Sequence, residues 1–290
     1  MNPLLVAVMG PTASGKTDLA ERIADEIGAR LINSDNFQAY RGLDIGTAKS
    51  ERRAEYALMD IKNPHEEFGM GEWVRLVVSE LEKLFAYGSS AVIVGGSGLN
   101  VRALFEGYED IGVAPPAGLR EELNARALPD LLVALEGEDP EAFSRVDRKN
   151  RVRVQRALEK ARTPRDPAPK LPDFRKIKLA KAPNPSTLAS VIDRRTSQMV
   201  QNGWLAEVEA LRAAGWSLSD PGLKAHGYRW LWRHLDGEIT LAEAVETTSA
   251  EVRRYAKRQR TWLRTEPRIN MIDDSHDPFS QAMERVRATI

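Results

Sequence analysis

The chain has 290 residues, with 42 basic side chains against 42 acidic ones, so bulk charge points to no polyanionic partner and any nucleic-acid surface must be local. There is no cysteine, which excludes disulfides, thiolate metal sites and cysteine nucleophiles and suits a cytoplasmic setting. A hydrophobic content of 42% with 29% charged residues describes a globular protein: one large domain, or a core with a smaller insertion. No apolar run approaches the ~20 residues of a membrane span, and the opening LLVAVMG, with no basic region before it, is not expected to be a signal peptide.

Residues 4–9 (LLVAVM) are short, apolar and end at a glycine, which predicts a buried strand. TDLAERIADEIG (17–28) predicts a helix with Leu19, Ile23 and Ile27 on one face and Gly28 as its stop. ARLINSD (29–35) reads as a second strand. EWVRLVVSELEKLFAYG (72–88) is a helix that places Val74, Val77, Leu81 and Leu84 together. SAVIVGG (90–96) is a third strand, unbroken and apolar like a central parallel strand. Alternation of strand and helix predicts a doubly wound α/β core.

Past residue 112 the pattern changes. VAPPAG (113–118) is a Pro-rich joint, followed by helical segments at LREELNARAL, DLLVALEGED and DRKNRVRVQRALEKA. RTPRDPAPKLPD (162–173) is a second loop, and RKIKLAKA (175–182) is expected to return to the sheet as a strand. The remainder is mainly helical, with a last strand at RINMID (268–273). The expected division has residues 1–114 as the first part of the core and 115–148 as a smaller helical insertion. That insertion is open to extension or splitting across part of 186–222. Residues 149–185 and 223–290 then return to the core and carry basic helices.

GPTASGKT (10–17) fits G-x-x-x-x-G-K-[ST] between a strand and a helix. Gly10, Pro11, Thr12, Ala13, Ser14, Gly15, Lys16 and Thr17 would wrap phosphate oxygens with backbone N–H groups, under the positive end of the helix. Lys16 adds a point charge, and the Thr17 hydroxyl can ligate Mg²⁺. An ATPase of this class usually carries an acid at the end of a second apolar strand. Here 90–96 ends in Gly95-Gly96-Ser97, and the acid follows the second strand, at Asp35. That weakens a motor or switch NTPase and leaves kinases and other transferases open.

In a doubly wound sheet the C-terminal strand ends face the ligand crevice. Asp35 would sit near the phosphate loop as a general base or metal ligand, or it would only cap a turn. GPTASGKT, the strand-end Asp35 and QAYRGLDIGTAK together resemble the tRNA dimethylallyltransferase family (isopentenyl-diphosphate:tRNA transferases), bacterial type. VGGSGLN, NRVRVQRALE, HGYRWLWRHLDGEITLAEA and RRYAKRQRTWLR are similar to further blocks of that family, and the resemblance spans nearly the whole chain.

The resemblance implies a P-loop NTPase-like core and transfer of a dimethylallyl group from its diphosphate. The acceptor would be the exocyclic amine of the adenine 3′-adjacent to the anticodon, in tRNAs reading codons that begin with U. The loop would then hold the leaving diphosphate with Mg²⁺ through Thr17. Asp35 would be the catalytic carboxylate, Ser97 would stand near the reacting base, and Arg120 would steady the diphosphate. The target base must leave its stack, with Asp35, Asn36, Phe37, Gln38, Ser97 and Arg120 around it and Gln38 reading its edge. The chain departs from the family pattern at Asn36 (usually Ser), Asn100 (usually Tyr), His226 (usually small or apolar) and EYALMD (55–60), which lacks a His pair.

EVRRYAKRQRTWLR (251–264) carries six basic residues and one acid. Arg253, Lys257, Arg260 and Arg264 fall on one helical face, with Val252, Ala256, Trp262 and Leu263 on the other. A second stripe runs through Lys149, Arg153, Arg156 and Lys160. Such stripes bind phosphates and position RNA, although a solvated face is the commoner meaning of a charge run. Arg153, Arg156, Lys224, Arg229, Lys257, Arg260 and Arg264 are the expected contacts to a tRNA anticodon stem-loop. Trp204, Trp216, Trp230, Trp232 and Trp262 are read as core residues. A cytoplasmic monomer with no membrane partner is expected. The rivals are a small-molecule or nucleoside kinase and a non-catalytic RNA-binding P-loop protein.

Overall fold

The computed structural model describes residues 3–107, 115–116, 118–164, 169, 174–274 and 276–289. In chain order these residues form β1 (Leu4–Met9), α1 (Lys16–Ile27), β2 (Arg30–Asn33), β3 (Tyr56–Ala57), α2 (Met70–Ala86), β4 (Ala91–Gly95) and α3 (Gly98–Glu106). Four helices follow: α4 (Leu119–Ala125), α5 (Leu128–Glu138), α6 (Pro140–Arg145) and α7 (Arg151–Arg162). Then come β5 (Arg175–Lys181), α8 (Pro185–Gln201), α9 (Trp204–Ala213), α10 (Tyr228–Leu235), α11 (Leu241–Leu263), β6 (Ile269–Ile272) and α12 (Pro278–Arg287).

The six strands form one parallel sheet in the order β3-β2-β4-β1-β5-β6. Its central strands are covered on both faces, which is why β1 reads as an unbroken apolar run. Leu5, Ala7 and Met9 pack with Trp73, Val77 and Leu81 of α2. Leu4, Val6 and Val8 point the other way, against Leu19 and Ile23 of α1 and Met283 and Val286 of α12. The expected strand at RKIKLAKA is β5, paired with β1 from Leu4↔Arg175 to Met9↔Ala180. Three strands were expected in the first hundred residues and four are present. β3 is only two residues long, and its pairing of Tyr56 with Leu31 and Ala57 with Ile32 leaves no periodic signal.

Helices α4–α7 close around their own apolar cluster of Leu123, Leu131, Leu135, Val154 and Leu158. Val154 and Leu158 belong to α7, so the expected return to the core at residue 149 falls inside a packed group, and we propose a boundary after α7 instead. Half of the Pro-rich joint at 113–118 and most of the second loop at 162–173 lie outside the described residues. No helix among the described residues is long and apolar enough to cross a membrane.

Candidate active site

The turn from β1 into α1 passes through left-handed backbone at Ala13 (φ 62°) and Gly15 (φ 73°). This curls the loop under the positive end of α1. Lys16 folds back and its Nζ donates to the Pro11 carbonyl at 3.3 Å. Burial lowers its ammonium to about 8, the Asp35 charge opposing that shift and Arg195 reinforcing it. The Ser14 hydroxyl is buried with no hydrogen-bond partner among the described residues, an unmet need that a phosphate oxygen would satisfy.

Asp35 is held by the fully buried Asn33. Asn33 Oδ1 accepts the Asp35 N–H at 2.8 Å, and Asn33 Nδ2 donates to the Asp35 carbonyl at 2.9 Å and the Leu58 carbonyl at 3.0 Å. Asp35 Oδ1 accepts the Phe37 N–H at 3.0 Å, so this aspartate does cap the turn that follows. Capping engages Oδ1 alone; Oδ2 has no hydrogen bond among the described residues. Thr12, Lys16, Thr17 and Asp35 line one cavity, with about 1100 Å³ of empty space including its mouth.

Helices α8 and α11 close that cavity. Arg195 of α8 lines it and makes no ion pair or hydrogen bond to a described residue. Burial depresses its guanidinium against the opposing charge of Asp18, but it stays protonated. Tyr255 of α11 also lines the cavity; burial and then the Asp35 charge raise its phenol, so it is a donor. Gln259 ties α11 to the phosphate loop. Its Oε1 accepts the Thr12 N–H at 2.9 Å and its Nε2 donates to the Gly96 carbonyl at 3.0 Å.

This packing explains the glycines of VGGSG. A Cβ on Gly96 would lie 2.1 Å from Gln259 Nε2, and one on Gly98 would lie 2.1 Å from Trp262 Nε1. The two sequence blocks are each other's packing partners. DIGTAK is similarly structural. Lys49 Nζ sits 2.7 Å from Asp44 and 2.5 Å from Asp60, and Glu207 accepts the N–H groups of Asp44, Ile45 and Gly46 at 2.7, 2.6 and 3.2 Å.

Two family models match the chain, IPP transferase over residues 38–266 and isopentenyl transferase over residues 3–57. The chain belongs to the tRNA dimethylallyltransferase family. It is 37% identical to the tRNA dimethylallyltransferase of Gloeobacter violaceus, covering 93% of this chain and 92% of the relative. It is 36% identical to that of Chromohalobacter salexigens, covering 99% and 98%. The crystal structure of the tRNA isopentenylpyrophosphate transferase from Bacillus halodurans superposes with a TM-score of 0.73 at 30% identity, covering 100% of this chain and 97% of that one. These likenesses make the chain a prenyltransferase of P-loop NTPase-like fold and do not favour the kinase reading.

Against the family expectations, Phe37 and Gln38 line the cavity with the phosphate loop and Asp35. The Gln38 amide is committed: Nε2 donates to the carbonyls of Thr47 at 2.9 Å and Ala48 at 3.2 Å, and Oε1 accepts no hydrogen bond from a described residue. Asn36 points away, to Asn100. Ser97 starts α3 beside the cavity and does not line it. Arg120 also lies outside, its guanidinium 2.7 Å from Glu67 and 3.2 Å from Glu159; a diphosphate contact would require it to leave both carboxylates. Trp204, read as core, lines the cavity, and so do Val252, Arg195, Tyr255 and Gln259, none of which was singled out as a site residue. His226 lines it too, its Nδ1 3.0 Å from Glu251 and its ring 4.7 Å from that of Tyr255.

The basic residues separate into different places. Arg153 and Arg156 are exposed on α7, with Arg156 paired to Glu159. Lys224 and Arg229 are exposed and flank in sequence the cavity-lining Ala225 and His226, Arg229 lying 4.2 Å over Trp230. Arg253, Lys257, Arg260 and Arg264 line a separate groove, and Ala256, expected on the opposite face, is in its floor. Among the described residues no three His, Cys, Asp or Glu side chains gather as a metal cluster.

Proposed function

We propose that the protein transfers a dimethylallyl group from dimethylallyl diphosphate to the exocyclic amine of the adenine 3′-adjacent to the anticodon. The tRNAs are those reading U-starting codons, and diphosphate is released. The observation that carries this reading is the single cavity in which the phosphate loop, Asp35 and the unpaired Arg195 meet.

In this reading the diphosphate lies against the loop N–H groups, Lys16 and Arg195, positive charge arranged before the leaving group departs. Met199, Ile192 and Val252 offer the five-carbon chain an apolar wall. The adenine, flipped from its stack, places N6 at C1 of the donor. The N6 lone pair forms the new C–N bond as the C1–O bond breaks and its electrons leave with the diphosphate. Asp35 Oδ2 takes the N6 proton, which matters because that lone pair is weakened by delocalisation into the ring. Gln38 Oε1 can accept from the same amine and so favours a base carrying one. The Thr17 hydroxyl is a hard oxygen donor of the kind that holds Mg²⁺ together with substrate phosphates, and the ion would add charge neutralisation at the diphosphate. Arg153, Arg156, Lys224, Arg229, Lys257, Arg260 and Arg264 would contact tRNA phosphates.

The test is incubation with unmodified tRNA, Mg²⁺ and dimethylallyl diphosphate, in parallel with ATP, followed by digestion and mass spectrometry. Wild type should yield prenylated adenosine at the position 3′ to the anticodon, and Asp35→Ala should lose most of it. Phosphate transfer from ATP without prenylation would overturn the reading.

A further inference from the structure

The catalytic cavity does not end at its apolar wall. Along α11 it is lined by Gln259, Tyr255, Val252 and Thr248, which share one face of the helix. Gln259 marks the phosphate end, through its bond to the Thr12 N–H. Val252 packs with Ile192 in the apolar stretch. Thr248 stands three turns, ~16 Å, from Gln259, room for a diphosphate followed by a five-carbon chain.

At that far end two polar groups are open. Thr248 is 1% exposed, and its Oγ1 has no hydrogen-bond partner among the described residues. Its own helix could satisfy it, as α8 does for Thr196, whose hydroxyl donates to the Ile192 carbonyl at 3.0 Å. The Thr248 methyl instead packs on Gly227, where an added Cβ would lie 2.9 Å from it. His226 precedes that glycine and also lines the cavity. Glu251 Oε1 lies 3.0 Å from its Nδ1, and Glu251 Oε2 accepts the Trp230 N–H at 2.8 Å. A carboxylate there takes Nδ1–H as its donor, so the neutral ring leaves Nε2 as an acceptor. Nε2 has no hydrogen bond to a described residue. A hydroxyl donor and a ring acceptor thus adjoin across Gly227, with Trp204 packed on the same glycine.

A methyl group at this end would leave both polar groups unpaired, at a cost. A hydroxyl satisfies both, accepting from Thr248 Oγ1 and donating to His226 Nε2. We infer that the donor pocket ends in a hydroxyl site, and that the protein takes a five-carbon allylic diphosphate with a hydroxyl on its terminal carbon in preference to the unhydroxylated one. The inference rests on the proposed prenyl transfer and deepens it by naming the donor class. The reaction is otherwise the same. N6 bonds to C1, the C1–O electrons leave with the diphosphate, and the N6 proton goes to Asp35. The terminal hydroxyl stays intact on the product, and no oxidant is needed because that oxygen arrives with the donor.

The experiment offers wild type an anticodon stem-loop RNA with dimethylallyl diphosphate or with either geometric isomer of its terminally hydroxylated analogue. Mass spectrometry of the digested RNA distinguishes the products, and kcat/KM is measured for each donor. Wild type should favour the better hydroxylated isomer by about tenfold or more, because a site built to hydrogen-bond a hydroxyl discriminates against the analogue that lacks it. In His226→Ala and in Thr248→Val the ratio should fall to within about twofold of unity. Thr248→Ser restores the hydroxyl and should restore the preference, which separates a binding role from a packing one. Melting curves check that each variant is folded.

A wild-type ratio near one, or a preference that survives both substitutions, would overturn the inference. An RNA with 2′-deoxyadenosine at the target position tests the other source of a hydroxyl. If that RNA binds wild type more weakly and the two variants no worse than its ribose parent, the pair reads the ribose and the inference fails. If wild type transfers neither donor, the proposed function falls instead. Isothermal titration of the ligand-free protein with the same diphosphates would still report whether the pocket prefers a hydroxyl.

Discussion

Asn100 Nδ2 donates to Asn36 Oδ1 at 2.8 Å and to the Ser34 carbonyl at 3.2 Å, directly behind Asp35. Both asparagines stand where the sequence resemblance leads one to expect other residues, Ser at 36 and Tyr at 100. The contact makes the two departures one linked change. Asn100 is 1% exposed, so an unpaired amide there is costly. Asn36→Ser and Asn100→Tyr should each destabilise by about 1–3 kcal/mol. The double variant should fall short of their sum, as a denaturant-melt double-mutant cycle would show.

Lys16 holds its charge in a place that burial disfavours. Folding shifts its titration from 10.5 to about 8, so between those values the unfolded chain binds more protons and stability rises with pH. Below pH 8 the penalty is present in full. Lys16→Met should stabilise the ligand-free protein at pH 7 by roughly 1–2 kcal/mol, since solvent at the mouth absorbs part of the burial cost. That gain should vanish above about pH 10.5, while donor binding is lost at every pH. Thermal melts with and without inorganic diphosphate would check both halves.

Arg195 faces the cavity without an ion-pair or hydrogen-bond partner among the described residues, whereas Arg120 is held by two carboxylates. Arg195→Ala should raise the KM for dimethylallyl diphosphate by tenfold or more, the value of a charge-assisted phosphate contact. Arg120→Ala should raise it less. It should lower thermal stability instead, because it leaves Glu159, 4% exposed, without its partner from α4. Steady-state kinetics beside melting curves would separate the two arginines.

Gln259 is expected to act through the loop it clasps. Gln259→Ala removes two hydrogen bonds and should cost about 1–3 kcal/mol and roughly tenfold or more in kcat/KM for the donor. Gln259→Glu keeps an acceptor for the Thr12 N–H but cannot donate to Gly96 and brings negative charge toward the diphosphate. It should therefore bind the donor worse than Gln259→Ala, which isothermal titration with inorganic diphosphate would measure.

The core was legible where burial on both faces leaves a simple apolar run, as at 4–9 and 90–96, and at 175–182 the strand reading held although Lys176, Lys178 and Lys181 interrupt the apolar residues. The meeting of Asp35 with the phosphate loop followed from parallel topology, since β2 and β1 both end on the edge that β4 joins. Arg195 was not legible. It sits beside the exposed Arg194 in a helix with charges of both signs, and only the closure of α8 over the loop distinguishes them. Gln259 was hidden by the basic residues on either side of it. The α7 stripe was seen as charge while its apolar face, Val154 and Leu158, went unread as a packing surface.

α11 is one uninterrupted helix of 23 residues, ~34 Å long at 1.5 Å per residue. It presents Val252, Tyr255 and Gln259 to the cavity and Lys257 and Arg264 to the groove. A displacement of such a rod is felt on both sides at once. The two substrates are then thermodynamically linked: whatever factor RNA engagement contributes to diphosphate affinity, diphosphate must return to RNA affinity. The order of their arrival alters the route and leaves the ternary complex equally stable.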